Sequence, residues 1–406
     1  MYILPFIYLS YMFISLYFLM LYFLIYRRHR KEIFQSPKLA KIYSVSVVIP
    51  AYNEEDCIEG TVHAVMKSTY PLQEVIVVND GSKDRTAEIV RELMKRYKNL
   101  KLLDKKNSGK ADSINQALKI AKGELFAVVD SDSYPAEEAI EKLVAYFSDE
   151  KVGAATCPIL ARNKNRFFER LQAIEYSAIA ITRKLLEYIG AIYVTPGPLA
   201  LYRKSALIKI GGFDSKNMTE DIEVTWHLTY AGYDRKMCLN TRVTTIVPDK
   251  FKTWFRQRRR WSMGGMQTIG KYRGSFLKRG MLGFFILPFF ILSTFLGLLG
   301  LSIFAYLVIR NFISTYLFTK YSFAAGTAVL TLNELYITPT VLNYLGFALF
   351  FFGSIFTLLA LYLMGENISK KENVFNVMFY LIIYLTVYPF IMISAIYSLI
   401  RRDLRW

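Results

Sequence analysis

Two aspartates one residue apart, Asp130 and Asp132, close the apolar run ELFAVVDSDS. Carboxylates so spaced at the end of a strand suit Mg2+ or Mn2+, hard cations that take oxygen ligands and often combine one or two carboxylates with substrate phosphates. Such a cation would screen a diphosphate and ease its departure. Taken alone, D-x-D also describes a turn or a helix cap. Here it does not stand alone, because VVIP leads into AYNEED (Ala51–Asp56) and EVIVV into NDGS (Asn79–Ser82). Farther on, TED (Thr219–Asp221) precedes the helix-like IEVTWHL. A carboxylate at Asp221 can take the proton of an attacking hydroxyl, a role worth about 10²–10⁴-fold, although Thr219 and its acids also fit a plain helix N-terminus. QRRRW (Gln257–Trp261) puts Gln257 and Trp261 four apart, on one face of a helix.

The elements that position these residues alternate. YSVSVVIP (Tyr43–Pro50), EVIVVND (Glu74–Asp80) and ELFAVVD (Glu124–Asp130) read as buried strands. Apolar spacing predicts helices over about 55–68, 84–97 and 111–121. Strands alternating with helices predict parallel pairing with crossover helices on both faces. Ligands of such open sheets bind beyond the carboxyl ends of the strands, where the polar residues lie. No G-x-G-x-x-G follows the first strand, which excludes the dinucleotide fingerprint.

Composition divides the chain further. It is 53% apolar yet carries 51 Lys+Arg against 33 Asp+Glu, a formal net charge of +18. Met1–Tyr26 is uncharged and closes with RRHRK; as a helix it rises about 39 Å, enough to cross a hydrocarbon core of about 30 Å. The run is too long for a signal peptide and has no basic leader, so a retained transmembrane helix is expected. Uncharged runs return at Met281–Ile309, Leu335–Gly365 and Asn373–Ile400, with a weaker span at Phe312–Leu332 that contains Lys320. The expected layout is a first helix (1–26), a catalytic domain (43–249), an interfacial region (250–280) and C-terminal helices (281–406). Basic clusters after Tyr26 and at Arg256–Arg279 place the domain in the cytoplasm and the N-terminus outside, in the cell membrane. The three apolar C-terminal runs carry no charge, which argues against an ion pathway. Cys57, Cys157 and Cys238 lack metal-like spacing and read as reduced thiols.

In the order VVIPAYNEE, VVNDGSKD, SGKADSINQAL, VVDSDS, TEDIEVTWHL and QRRRW, the sequence resembles a family 2 glycosyltransferase of GT-A fold. It is more closely similar to the membrane-integrated synthases of cellulose, hyaluronan and poly-N-acetylglucosamine. The resemblance spans about residues 44–275 and implies an α/β, Rossmann-like GT-A domain embedded between transmembrane helices, with amphipathic interfacial helices. It implies a UDP-sugar donor, UDP-N-acetylglucosamine first among candidates, and inverting transfer to a β-linked polysaccharide or, alternatively, to a membrane lipid. Tyr52 and Glu54 would line the nucleotide pocket and Asp80 would bond the uridine. Lys110 would approach the donor, Asp130 would contact the nucleotide, and Asp132 would hold Mg2+ or Mn2+. Asp221 would be the general base. Glu220, Gln257, Arg260 and Trp261 would serve the acceptor and the leaving diphosphate, Trp261 by stacking and Arg260 as a bidentate partner. Arg258 and Arg259 would meet anionic lipids. QRRRW beside a membrane run is no nucleic-acid surface. RFFERLQAIEYSAIAI (Arg166–Ile181) reads as a second interfacial helix or a core helix, and TPGPLALYR (Thr195–Arg203) as a constrained loop lining the acceptor path.

Overall fold

The computed structural model describes residues 3–326, 341–366 and 371–402. Its centre is a mixed sheet built from β1 (Val45–Ala51), β2 (Glu74–Asp80), β3 (Leu100–Lys105), β4 (Leu125–Val128), β6 (Val152–Thr156), β8 (Ala200–Arg203) and β9 (Asp234–Met237), in the order β3-β2-β1-β4-β8-β6-β9. A small second sheet joins β5 (Ser133–Pro135), β10 (Val243–Thr245) and β7 (Ile159–Ala161). The strands β3 to β4 are parallel, as the alternation predicts. Beyond them the pairing changes, since β8 runs antiparallel to both β4 and β6. The chain enters β8 from the TPGP loop at the carboxyl end of β4, where the Asp130 amide donates to the Gly197 carbonyl, so it runs back along its neighbours.

Register gathers the polar strand ends. Ala51 lies opposite Asn79, and Asn79 opposite Asp104. Helices α2 (Ile58–Met66), α3 (Thr86–Arg96) and α4 (Lys110–Ile120) cross over between the strands. Alternate residues of β1 face opposite ways: Val45, Val47 and Ile49 pack with Ile58 and Val62 of α2, whereas Val48 packs with Ile114 and Ala117 of α4. Such alternation gives each sheet face its own apolar layer. The short helices α5 (Ala139–Val144) and α7 (Lys204–Lys209) add to these layers, Ile140 and Leu143 to the one shared with α2 and Ala206 and Leu207 to the one shared with α4.

The apolar helices are α1 (Ile3–His29), α10 (Leu287–Ala324), α11 (Val341–Leu363), α12 (Lys371–Phe379) and α13 (Tyr388–Ile400). Among the described residues three stretches are long and apolar enough to cross a membrane: Pro5–His29, Leu282–Ala324 and Tyr344–Leu363. A fourth would be the pair Val374–Tyr384 and Tyr388–Ile400, bent by 42°. The separate span expected from Phe312 is instead a continuation of the helix that begins at Leu282, unbroken to Ala324. Arg310 ends an uncharged run, but one arginine does not stop a helix, since its long stem can carry the charge to an interface. The remainder of that expected span, the start of the run from Leu335 and the chain after Arg402 lie outside the described residues.

Between sheet and apolar helices lie α6 (Phe167–Glu187), α8 (Glu220–Tyr230) and α9 (Phe251–Tyr272). Helix α6 is buried on several sides: Ile181 and Leu185 pack with Ile25 of α1 and Phe356 of α11, whereas Leu171 and Ile174 pack with Trp254 of α9 and Ile391 of α13. It is a core helix joining the two parts of the protein.

Candidate active site

One end of the site is an ion cluster at the carboxyl end of β4. Lys110, the first residue of α4, reaches Asp130 Oδ1 at 2.6 Å and Glu220 Oε1 at 2.8 Å. Burial works against its charge, but Asp130, Glu220 and Asp221 outweigh it and hold the ammonium above its ordinary pKa. Asp132 Oδ1 accepts from Ser133 Oγ at 3.0 Å and from Thr245 Oγ1 at 3.2 Å. Burial, and then the charge of Asp130, raise the Asp132 pKa. Glu54 is pushed up to about 7, first by burial and then by Asp132. Crowded carboxylates that resist ionisation are the electrostatic condition under which a bound cation gains most. Among the described residues no three His, Cys, Asp or Glu side chains form a metal cluster. Two carboxylates nevertheless fit a Mg2+- or Mn2+-type ion that completes its shell with water and phosphate oxygens.

Gly197 leaves room for this cluster. Its carbonyl accepts from the Asp130 amide at 3.1 Å, and an added Cβ would stand 2.6 Å from both Asp130 oxygens and from Lys110 Nζ. The TPGP loop therefore walls the site, and β8 starts immediately after it.

Asp221 sits in the first turn of α8. The Thr219 side chain caps nothing, and Asp221 Oδ1 accepts from the adjacent Ile222 amide at 2.9 Å. Burial first, and then Glu220, raise the Asp221 carboxyl to about 6, with Lys110 and Arg260 opposing. A carboxylate with that pKa is ionised near neutrality yet basic enough to accept a proton.

Asp221 lines a cavity of about 220 Å³ together with Lys110, Asp130, Asp132, Glu220, Gln257, Arg260 and Trp261. Helix α9 contributes Gln257, Arg260 and Trp261 at i, i+3 and i+4, hence from one face. Pro196, Gly197 and Pro198 line it as well. Asp132 and Gln257 also border a more open cleft of about 580 Å³, over whose residues Arg166 pairs with Asp249.

Of the nucleotide residues read from sequence, Lys110 and Asp130 line this cavity, whereas Tyr52, Glu54 and Asp80 do not. Tyr52 is exposed on the loop after β1. That loop is tied to the one after β2 and to the start of α3, as Asn53 N donates to Ser82 Oγ at 2.9 Å and Glu54 N to Thr86 Oγ1 at 2.8 Å. Asp80 is buried, and its carboxylate accepts from the amides of Ser108 (2.9 Å) and Gly109 (2.8 Å) and from Lys105 Nζ. It thus pins the turn from which Lys110 springs.

One expectation is overturned. Arg258 is 1% exposed and paired with Glu175, so it is no lipid contact. Sequence reading also missed Arg183 on α6, a buried residue that lines the cavity with Tyr176 and Ile179. Among the described residues its Nε has no hydrogen-bond partner. The available signal was a charge at i+7 from Tyr176 on an otherwise apolar stripe.

A GT-A-like sheet with an aspartate pair at a strand end, joined to long apolar helices, defines a membrane protein of the glycosyltransferase class. The family model described as glycosyl transferase family 2 matches residues 46–211. A poly-beta-1,6-N-acetyl-D-glucosamine synthase of Staphylococcus epidermidis is 32% identical over 288 residues, 70% of this chain and 70% of its own length. The enzyme of the same name from Staphylococcus aureus strain MSSA476 is 31% identical over 251 residues, 61% of each chain. The chain belongs to glycosyl transferase family 2. The fold also matches a mannosyltransferase from Pyrobaculum calidifontis, solved with GDP-Man and Mn2+, with TM-score 0.63, 19% identity and coverage of 96% of this chain and 97% of that one.

Proposed function

We propose that the protein is an inverting synthase that transfers a sugar from a UDP-sugar, N-acetylglucosamine first among them, to a growing β-linked polysaccharide. The observation that carries this reading is the placement of Asp221 in one cavity with both the Lys110–Asp130–Asp132 cluster and Trp261. The names of the relatives support both the sugar and the polymer.

In this reading Tyr52, Glu54, Asp80 and Asp130 serve the nucleotide, and Asp132, beside Asp130, would hold Mg2+ or Mn2+. The cation supplies charge that makes the diphosphate a better leaving group. Lys110 and Arg260 add positive charge on the diphosphate side, with Glu220 orienting Lys110. The acceptor sugar stacks on Trp261, and Gln257 hydrogen-bonds it. Asp221 takes the acceptor hydroxyl proton as that oxygen bonds to the anomeric carbon. The bond from that carbon to the phosphate oxygen breaks, and UDP departs on the opposite face. An α-linked donor thereby gives a β-linkage. The apolar helices give the hydrophilic polymer a route through lipid, with the catalytic domain cytoplasmic and the N-terminus outside.

A second reading is favoured by Arg183, a buried cation facing the cavity. A guanidinium in that position suits an anionic acceptor such as a polyprenyl phosphate. The deciding experiment supplies purified full-length protein with radiolabelled UDP-N-acetylglucosamine and Mn2+ or Mg2+, with Asp221→Asn as the blank. Label in a high-molecular-weight, lipid-free product supports the polymer. Label confined to an organic-extractable species overturns it in favour of the lipid acceptor.

A further inference from the structure

Arg258 is the most enclosed charge of helix α9, at 1% exposure. Its Nη2 donates to Glu175 Oε2 at 2.5 Å and its Nε to Glu175 Oε1 at 3.2 Å, a two-pronged pair between α9 and α6. Glu175 accepts two more donors from the C-terminal helices. Tyr384 Oη donates to Oε2 at 2.7 Å, and Tyr388 Oη donates to Oε1. The carboxylate is therefore saturated, as a buried charge must be if it is not to destabilise the fold. On its other side Arg258 touches the cavity wall. Its Nη1 donates to Gln257 Oε1 at 2.6 Å, and its guanidinium carbon lies 4.0 Å from the centroid of the Trp261 ring.

Both neighbours line the cavity, whereas Arg258 itself does not. We propose that Arg258 is a positioning residue that fixes the Trp261 ring and the Gln257 amide against the acceptor, and that Glu175, Tyr384 and Tyr388 hold Arg258 in that pose. The C-terminal helix pair is then part of the acceptor site without touching the sugar. The inference rests on the acceptor role of Trp261 given above. Four donors on one carboxylate fix the guanidinium plane, and a cation over an indole face fixes the ring. A lysine could keep the charge but not the fork or the stacking.

The test compares Tyr388→Phe, Arg258→Lys, Trp261→Phe and the double variants carrying Trp261→Phe, all as full-length protein. The acceptor is a β-linked N-acetylglucosamine oligosaccharide and the donor is UDP-N-acetylglucosamine. Tyr388→Phe removes one hydroxyl and keeps the fold. It should raise the acceptor KM about fivefold, and Arg258→Lys about tenfold, with the donor KM unchanged. On the Trp261→Phe background neither change should add a comparable loss, because partners that act through one another are not additive. Full additivity, or lowered thermal stability with an unchanged acceptor KM, would overturn the positioning role. If Trp261→Phe itself leaves the acceptor KM unchanged, the reading of Trp261 fails instead. An activity-independent arm labels the protein with 5-fluorotryptophan and assigns Trp261 as the ¹⁹F resonance missing from Trp261→Phe. That resonance should shift or broaden in Tyr388→Phe and Arg258→Lys, and an unmoved resonance overturns the inference whatever the enzyme makes.

Discussion

A Cβ added at Gly264 would stand 2.0 Å from Thr219 Oγ1, so the backbone of helix α9 packs directly against the Thr219 side chain at the start of α8. The same face of α9 fixes the turn before Asp221. Gln267 Oε1 accepts from the Met218 amide at 2.9 Å, and Thr268 Oγ1 accepts from Asn217 Nδ2 at 2.9 Å. Gly264→Ala should therefore push the Thr219–Asp221 turn out of register at an overpacking cost of about 1–3 kcal/mol. A shift of about 1 Å at a catalytic group can lower turnover about 10²-fold, so activity should fall more than stability. Gly265, with nothing within 4 Å of an added Cβ, is the control. Gly265→Ala should stay active and gain up to about 1 kcal/mol of helix stability. Sugar transfer and denaturant unfolding, measured on both variants, check this.

The acid limb of the pH–rate profile should report Asp221. Its carboxyl is raised to about 6, so the base is ionised above that pH and protonated below it. Turnover should rise through about pH 6 and level off above, with an apparent value that belongs to the Asp221–Glu220–Lys110 group as a whole. The sign for stability is the reverse. A carboxyl whose folded pKa exceeds its unfolded value binds its proton more tightly when folded, so the ionised form present at pH 7 opposes folding. Asp221→Asn should lose about 10²–10⁴-fold in rate, yet at pH 7 be at least as stable as the parent, by up to about 3 kcal/mol. That gain should shrink progressively as the pH falls below about 6 and vanish only below about 4, the ordinary aspartate value. A variant both inactive and unstable at pH 7 would contradict the assignment.

Chelation tests the aspartate pair. Exhaustive EDTA treatment should abolish transfer, and Mn2+ or Mg2+ should restore it. Asp132→Asn should raise the metal concentration needed for half-activity by at least about tenfold. Gly197→Ala acts on the same cluster from the loop side, where its Cβ would crowd the Asp130 oxygens and Lys110 Nζ at 2.6 Å. It should weaken Mn2+ binding, read by electron paramagnetic resonance, with little effect on the far sheet.

How much of this was legible depends on the range of the interactions. Asp130, Asp132 and Asp221 sit in short motifs whose own residues set the strand end or helix start, so their positions could be read locally. The parallel half of the sheet followed from strand–helix alternation, whereas the antiparallel course of β8 depends on where α6 returns the chain. The Arg258–Glu175–Tyr388 cluster joins residues 83 and 213 positions apart. No periodicity within α9 tells a buried arginine from a lipid-facing one, and the charge of QRRRW read as surface until its partner was known. The contact of Gly264 with Thr219 is equally silent in sequence, because a helical glycine is legible only as a weak helix former.

Arg183 allows a final separation of stability from function. Burial lowers its pKa, and Tyr193 and Asp221 only partly offset that. No carboxylate pairs with it among the described residues, so its charge opposes folding unless the cavity is filled. Arg183→Met keeps the stem that packs along α6 and removes the charge, so the thermal midpoint of the unliganded protein should rise. Transfer should nevertheless fall, with the loss in acceptor KM if the guanidinium bonds an acceptor oxygen. The kind of acceptor sets the size of the loss. A hydrogen bond to a neutral sugar hydroxyl should be worth about tenfold, and a charge-assisted bond to a phosphate about a hundredfold. Measuring acceptor KM for Arg183→Met with an N-acetylglucosamine oligosaccharide and with a short-chain polyprenyl phosphate therefore ranks the two acceptors. An unchanged KM with both, together with a lower midpoint, would make Arg183 a structural residue of α6.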